Sequence, residues 1–309
     1  MKKILILFLL ILLIIFPGCI NKKQDKLYYS FIDSSNNEIK LNNKPKNVAI
    51  LFSSFVEIYN IAGGSTNITI QEAIDRNLVS NDVILVDDGA GKTINTEILI
   101  SSNPDFVIGS LDISEQAKTC AFLNDLGIPS ALFKVECFED YLFVLNILTD
   151  ITNNKQNYQE YGLNIKKDID NIKQKIQITE EKPKILFIRS GSSSSSCKAK
   201  NKQANFVCEM LDELGVINIA DTATILLDGL SIEEILLNEP DYIFVSIMGN
   251  YDNGKKFILD LFNTKTYQSL KAVKNNQFYF LPKDLFQYKP NHKWDIAYQY
   301  LVDILYEEK

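Results

Sequence analysis

The sequence predicts an α/β protein with mainly parallel sheets, arranged as two similar lobes. Short β-branched apolar runs alternate with longer helix-like runs along most of the chain. A Glu…Pro-Asp unit occurs twice, closing at Asp105 and again at Asp241. One long amphipathic stretch lies between the two copies.

Composition bounds the function. The 309 residues leave room for roughly two domains. A hydrophobic content of 46 % with 23 % charged residues excludes wholesale disorder. A formal charge of -7 argues against nucleic acid as a partner, because phosphate binding needs a surplus of Lys and Arg. A single His excludes a multi-His zinc site within one chain, and the five Cys show no CxxC spacing.

The chain begins with an address. Met1-Lys2-Lys3 is basic, every residue from Ile4 to Phe16 is apolar, and Asn21 to Lys26 is polar. That order is a secretory signal peptide, assigned to residues 1–18. As a helix the apolar run rises only ~20 Å, short of the ~30 Å hydrocarbon core. Phe16-Pro17-Gly18-Cys19 resembles a bacterial lipobox, although Phe16 and Pro17 depart from the usual Leu and small residue. The resemblance implies lipidation of Cys19, a tether over 19–26 and a home on the outer face of the cell membrane. Loss of Lys2 and Lys3 then takes the formal charge from -7 to about -9. Cys120, Cys137, Cys197 and Cys208 remain, either paired or free.

Strands are expected at Asn47–Phe52, Val83–Val86, Phe106–Gly109, Ile185–Ile188, Tyr242–Ile247 and Gln277–Leu281. Helices are expected at Phe55–Ala62, Ser114–Leu126, Asn205–Leu214 and Trp294–Tyr306. Thr96-Glu97 leads to Pro104-Asp105, and Ile232-Glu233 leads to Pro240-Asp241. In each a Glu stands near a helix start, where the backbone dipole favours it, and Pro-Asp opens an apolar strand. Asn153-Asn154 is placed to cap a helix of about 23 residues from Lys155. Tyr158, Tyr161, Ile165, Ile169, Ile172 and Ile176 form one apolar stripe along it. The expected domains are an N-terminal lobe over 27–152, this connecting helix within 153–180 and a C-terminal lobe over 181–309.

Lipobox, lobe, long helix and second lobe, in that order, resemble the substrate-binding lipoproteins of ABC importers for iron-siderophore, haem and vitamin B12. The resemblance covers about Leu27 to Tyr306. It rests on Asn47 to Glu57, on the two Glu…Pro-Asp units, and on Leu214-Gly215-Val-Ile-Asn218-Ile-Ala220. It implies two Rossmann-like lobes on one rigid helix, with a ligand cleft between them, a permease and its ATPase as partners, and a monomer. It also implies that Glu97 and Glu233 dock onto basic sockets of the permease, a logic of two distant carboxylates setting orientation. The plainer reading makes each an ordinary helix-start Glu.

In open α/β sheets, ligands bind beyond the carboxyl ends of the strands. The candidates are therefore Ser53 and Ser54, then Arg189 with Ser192 and Ser193, then Lys198, Met248, Tyr251, Tyr288 and Trp294. Hydroxyls, backbone N–H groups and a guanidinium suit carboxylate, phosphate or hydroxamate oxygens. Tyr288 and Trp294 could pack against a chelate or serve as core aromatics. Free metal is not expected, since His292 is alone, whereas a chelated metal needs only shape and hydrogen bonds. No cofactor and no catalytic residue is assigned. Gly91-Lys92-Thr93 mimics a P-loop end, but the first Gly of that motif would fall at Val86. No G-x-S-x-G elbow supports a secreted hydrolase. The leading expectation is a receptor for a ferric siderophore, then a corrinoid or haem; a surface sensor without a permease is the alternative of another class.

Overall fold

The computed structural model describes residues 27–89, 93–176, 181–191 and 197–306. The signal peptide, Cys19, the tether, Ser192 and Ser193 lie outside the described residues. Among the described residues no helix is long and apolar enough to cross a membrane.

The first half opens with an antiparallel hairpin, β1 (Tyr29–Ile32) and β2 (Glu38–Leu41). Then come β3 (Val48–Ile50), α1 (Ser53–Ile61), β4 (Ile68–Thr69), α2 (Gln71–Asp75), β5 (Ile84–Leu85) and α3 (Thr96–Ser101). β6 (Phe106–Ser110), α4 (Ser114–Asp125), β7 (Ser130–Phe133) and α5 (Phe138–Thr152) complete it. Its sheet has the order β5-β4-β3-β6-β7, and every pairing is parallel.

The connector is α6 (Lys155–Tyr158), a π-helical turn over Gln159–Leu163 and α7 (Asn164–Lys175), in direct succession. Ile165, Ile169 and Ile172 are buried, as the stripe requires. The expected cap differs. Asn153 takes a left-handed conformation (φ 61°) and ends α5, while Asn154 makes no side-chain cap bond. The helix also stops at Lys175, with Ile176 extended. At Gly162, inside the π turn, a Cβ would sit 3.0 Å from Leu142 Cδ2 and 3.3 Å from Leu145 Cδ2. Glycine there lets the connector lie against α5.

The second half contains β8 (Lys184–Ser190), β9 (Cys197–Ala199), α8 (Phe206–Glu213), β10 (Ile217–Asn218), α9 (Ile232–Asn238) and β11 (Tyr242–Ile247). α10 (Tyr251–Phe262), α11 (Lys271–Lys274), β12 (Phe278–Phe280), α12 (Lys283–Phe286) and α13 (Trp294–Tyr306) follow. The path β10-β8-β11-β12 is parallel, and β9 turns back antiparallel on β8. The antiparallel pairing of Ser190 with Cys197 and of Arg189 with Lys198 departs from the parallel arrangement of the other strands. Mixed α/β with two mainly parallel sheets is the fold class that the sequence predicts.

The repeated Pro-Asp has a mechanical role. Asp105 accepts the backbone N–H groups of Lys46 (2.8 Å) and Asn47 (3.0 Å), just ahead of β3. Asp241 accepts that of Lys184 (2.9 Å), the first residue of β8. Each carboxylate thus pins the neighbouring strand in register; such charge-assisted bonds are worth about 1.5–3 kcal/mol each. The residue before each Pro, Asn103 or Glu239, has positive φ (50° and 46°) and turns the chain from helix to strand. One core cluster spans both halves, running from Phe31 and Phe106 to Phe187, Trp294 and Leu301.

Candidate functional site

The parallel strands of both sheets end toward a common cleft. The end of β3 delivers Phe52, Ser53 and Ser54, β6 leads to Ser110 and Asp112, and β7 leads to Glu136. Opposite them stand Arg189 at the end of β8 and Gln287 to Lys289 after α12. Two adjoining cavities of about 210 and 300 Å³ share Phe52, Ser54, Glu136, Arg189 and Lys289. A third, of about 230 Å³, lies on the other side of Arg189 and is lined by Gly191, Cys197, Lys198, Lys200 and Met248. Arg189 therefore borders all three.

Its guanidinium is poorly employed. Nη2 donates to the Met248 thioether at 3.4 Å, and Nε is buried with no acceptor among the described residues. Burial lowers its pKa, against the opposing charge of Glu136. A thioether is a weak acceptor, so this cation has capacity for an anionic oxygen. Lys289 Nζ, by contrast, pairs with Glu136 at 3.1 Å and lies 4.6 Å from the Phe206 ring centroid. Burial lowers the Lys289 pKa, and Glu136 counteracts it. Beneath the floor, Ser53 Oγ donates to Glu72 at 2.5 Å and accepts from Arg76 Nη1 at 3.0 Å. Arg76 stacks 4.2 Å from the Tyr288 ring centroid. No group of three or more metal-ligating side chains occurs among the described residues. The arrangement can bind and orient an anionic, partly aromatic solute.

Comparison with known proteins identifies the architecture. The family model described as periplasmic binding protein matches residues 48–285. The chain belongs to the periplasmic binding protein family. Membership makes it a solute-binding receptor of the extracytoplasmic type by family. Among solved structures, an ABC transporter substrate-binding protein from Listeria monocytogenes EGD-e is similar at 16 % identity. That match has a TM-score of 0.68 and covers 86 % of this chain and 100 % of that one. Staphylococcus aureus SirA complexed with staphyloferrin B is similar at 17 % identity and a TM-score of 0.67, over 91 % and 99 % of the two chains. The haem-binding protein RhuT from Roseiflexus sp. RS-1 is similar at 18 % and 0.66, over 84 % and 98 %. At these identities the likeness concerns the fold. No curated protein matches the chain.

Against the frame of a periplasmic binding protein, the candidate residues divide. Ser53, Ser54, Arg189 and Tyr288 border the first cavity, and Lys198 and Met248 border the third. Tyr251 lies off all of these cavities, at the exposed first residue of α10. Trp294 needs a correction. It is 0 % exposed, wedged edge-on between Phe138 (6.1 Å) and Phe206 (5.8 Å), and cannot meet a ligand in the cleft. Apolar burial of the largest side chain wins over display. Glu97 and Glu233 are exposed, each in the first turn of a short helix, α3 and α9, capped by Asn95 and Ser231.

Several cleft residues escaped the sequence reading. Glu136 follows β7, a four-residue strand whose small Ser130 and Ala131 dilute the apolar signal. Glu72 lies in the first turn of α2 and Arg76 caps its end, and that five-residue helix is too short to show periodicity. Cys120 and Cys208 are buried, and all four described cysteines are free thiols. Burial pushes the Cys197 thiol up to about 11.

Proposed function

We propose that this periplasmic binding protein is the solute receptor of an ABC importer, lipid-anchored through Cys19, and that its ligand is a chelated metal, a ferric siderophore first. The observation that carries the reading is Arg189, a half-buried guanidinium bordering three cavities, whose buried Nε has no acceptor among the described residues. Such a group suits the negatively charged oxygens that surround a chelated metal. Related folds crystallised with staphyloferrin B, and with ferric iron held by two acinetobactin molecules, support the ligand class. Haem is the next reading, since the similar folds include the haem-binding protein RhuT and Staphylococcus aureus IsdE complexed with haem. Here Tyr251 lies off the cavities and Met248 is held by Arg189, so neither is poised as an axial ligand. Glu97 and Glu233 are assigned to permease docking, as two exposed carboxylates on helices of opposite halves.

A thermal-shift panel tests the reading, with ferric siderophores of several chemistries, ferric citrate, cobalamin, haem and bare metal ions. A true ligand at a hundred times its Kd adds about 2.7 kcal/mol, a rise of roughly 5 °C or more at this size. A ferric siderophore giving that rise supports the proposal. Haem or cobalamin alone reassigns the ligand, and stabilisation by bare Zn²⁺ or Mn²⁺ alone overturns the chelate argument.

A further inference from the structure

Tyr288 to His292 follow the last strand of the second sheet, and four of these five residues reach across to the first half of the chain. The Tyr288 ring lies under Arg76, at 4.2 Å. Lys289 Nζ meets Glu136 at 3.1 Å. Asn291 Nδ2 donates to Glu57 Oε2 at 2.9 Å and to the Ser54 carbonyl at 3.4 Å. His292 Nδ1 stands 3.6 Å from Glu57 Oε1.

Glu57 is the hub of this set. It also receives Arg76 Nη2 at 2.5 Å, and Arg76 Nη1 donates to Ser53 Oγ. Its side chain is only 14 % exposed, and it borders none of the three cleft cavities. Asn291 is fully buried at φ 53°, a left-handed conformation that Asn tolerates better than most residues and that a rigid surrounding must hold. The contacts of Tyr288, Lys289, Asn291 and His292 each join the second half to the first, and the Arg76 bonds to Glu57 and Ser53 brace the receiving side. A straight helix such as α7 resists bending, but it does not itself fix the gap at the cleft.

We propose that Tyr288–His292 is a strap coupling the two lobes, anchored on Glu57, and that it sets the width of the cleft. Glu57 is a positioning residue in this scheme, acting through Arg76, Tyr288 and Asn291. The strap bears on ligand capture only if the cleft is the ligand site, the reading proposed above. Its own test needs no ligand, so the two can fail separately.

Trp294, the single tryptophan, follows the strap directly and packs between Phe138 of the first half and Phe206 of the second. Acrylamide quenching of its fluorescence therefore reports lobe separation in the unliganded full chain. Asn291→Gly keeps the left-handed backbone and removes the amide. Asn291→Asp sets a second carboxylate against Glu57. Glu57→Gln and Asn291→Gly should each raise the quenching constant about twofold or more, and the double variant should add little, because both cut one connection. Asn291→Asp should raise the constant at pH 7.5 by at least as much as Asn291→Gly does, because a like charge replaces the donor. Unchanged quenching in the single variants, or additive effects in the double variant, would each overturn the strap. If Glu57→Gln does not fold, the two Asn291 variants decide alone.

Discussion

Replacing Trp294 separates packing from ligand contact with one residue. Its side chain is fully buried, with two edge-on aromatic neighbours, and its indole Nε1 has no acceptor among the described residues. Trp294→Ala opens a large cavity and abolishes the ring pairs with Phe138, Phe206 and Tyr298, a loss of about 3–5 kcal/mol. Trp294→Phe keeps a ring in place. It costs about 1–2 kcal/mol in lost volume, offset by about 1–3 kcal/mol because an unpaired buried N–H is removed. The net change for Phe lies between a loss of about 1 kcal/mol and a gain of about 2 kcal/mol. Urea unfolding followed by far-ultraviolet circular dichroism measures both variants without relying on the tryptophan. The Ala variant should also melt roughly 10 °C lower. A Phe variant as unstable as the Ala variant would refute the packing argument. A Phe variant that folds normally but loses ligand affinity would return Trp294 to the binding site.

Three further outcomes are expected. Arg189→Gln should weaken binding of a ferric carboxylate siderophore at least ~10-fold, with Arg189→Lys recovering only part of it, since a point charge cannot fork onto a carboxylate; titration calorimetry reads this, and equal affinity for all three proteins would count against Arg189. Glu97→Ala with Glu233→Ala should cut uptake by whole cells while leaving ligand affinity and melting temperature unchanged, because both side chains are exposed. Burial holds the His292 pKa below its ordinary value of 6.5, with Glu57 and Asp295 opposing and Lys293 assisting. The unfolded chain therefore binds the proton more readily. The His292 contribution to stability is complete above about pH 6.5 and is lost as pH falls through the folded value. His292→Gln should flatten that part of the profile, seen by unfolding at several pH values.

The sequence discloses elements where length and period are unambiguous. Trp294–Tyr306, Tyr242–Ile247 and the stripe from Tyr158 to Ile176 are long enough for periodicity to declare itself, and the two Pro-Asp units mark equivalent strands. Two-residue strands such as Ile68–Thr69 and Ile217–Asn218 carry no period and exist only because a parallel neighbour pairs with them. The cleft follows the same rule. Ser53, Ser54 and Arg189 were legible because they directly follow strands that the pattern reveals. Glu136 and Arg76 were not, because their neighbours in sequence are short elements and their partners lie far along the chain. Tyr288 and Trp294 differ by six positions and looked alike as aromatics. Only the turn between them, through Asn291, sends one to the cleft and the other to the core.

The π turn at Gln159–Leu163 makes the connector adjustable in length by a single residue. Such a turn houses one residue more than an α turn, while the helix on either side keeps its phase. Removing Glu160 would close it to an ordinary α turn and still present Ile165, Ile169 and Ile172 to the core. Removing the same number of residues from Asn164–Lys175 has no such slack; it would rotate every later side chain by about 100° and turn the buried isoleucines toward water. The rod between the lobes thus has one place where its length is negotiable, and that place lies against α5 rather than at the cleft.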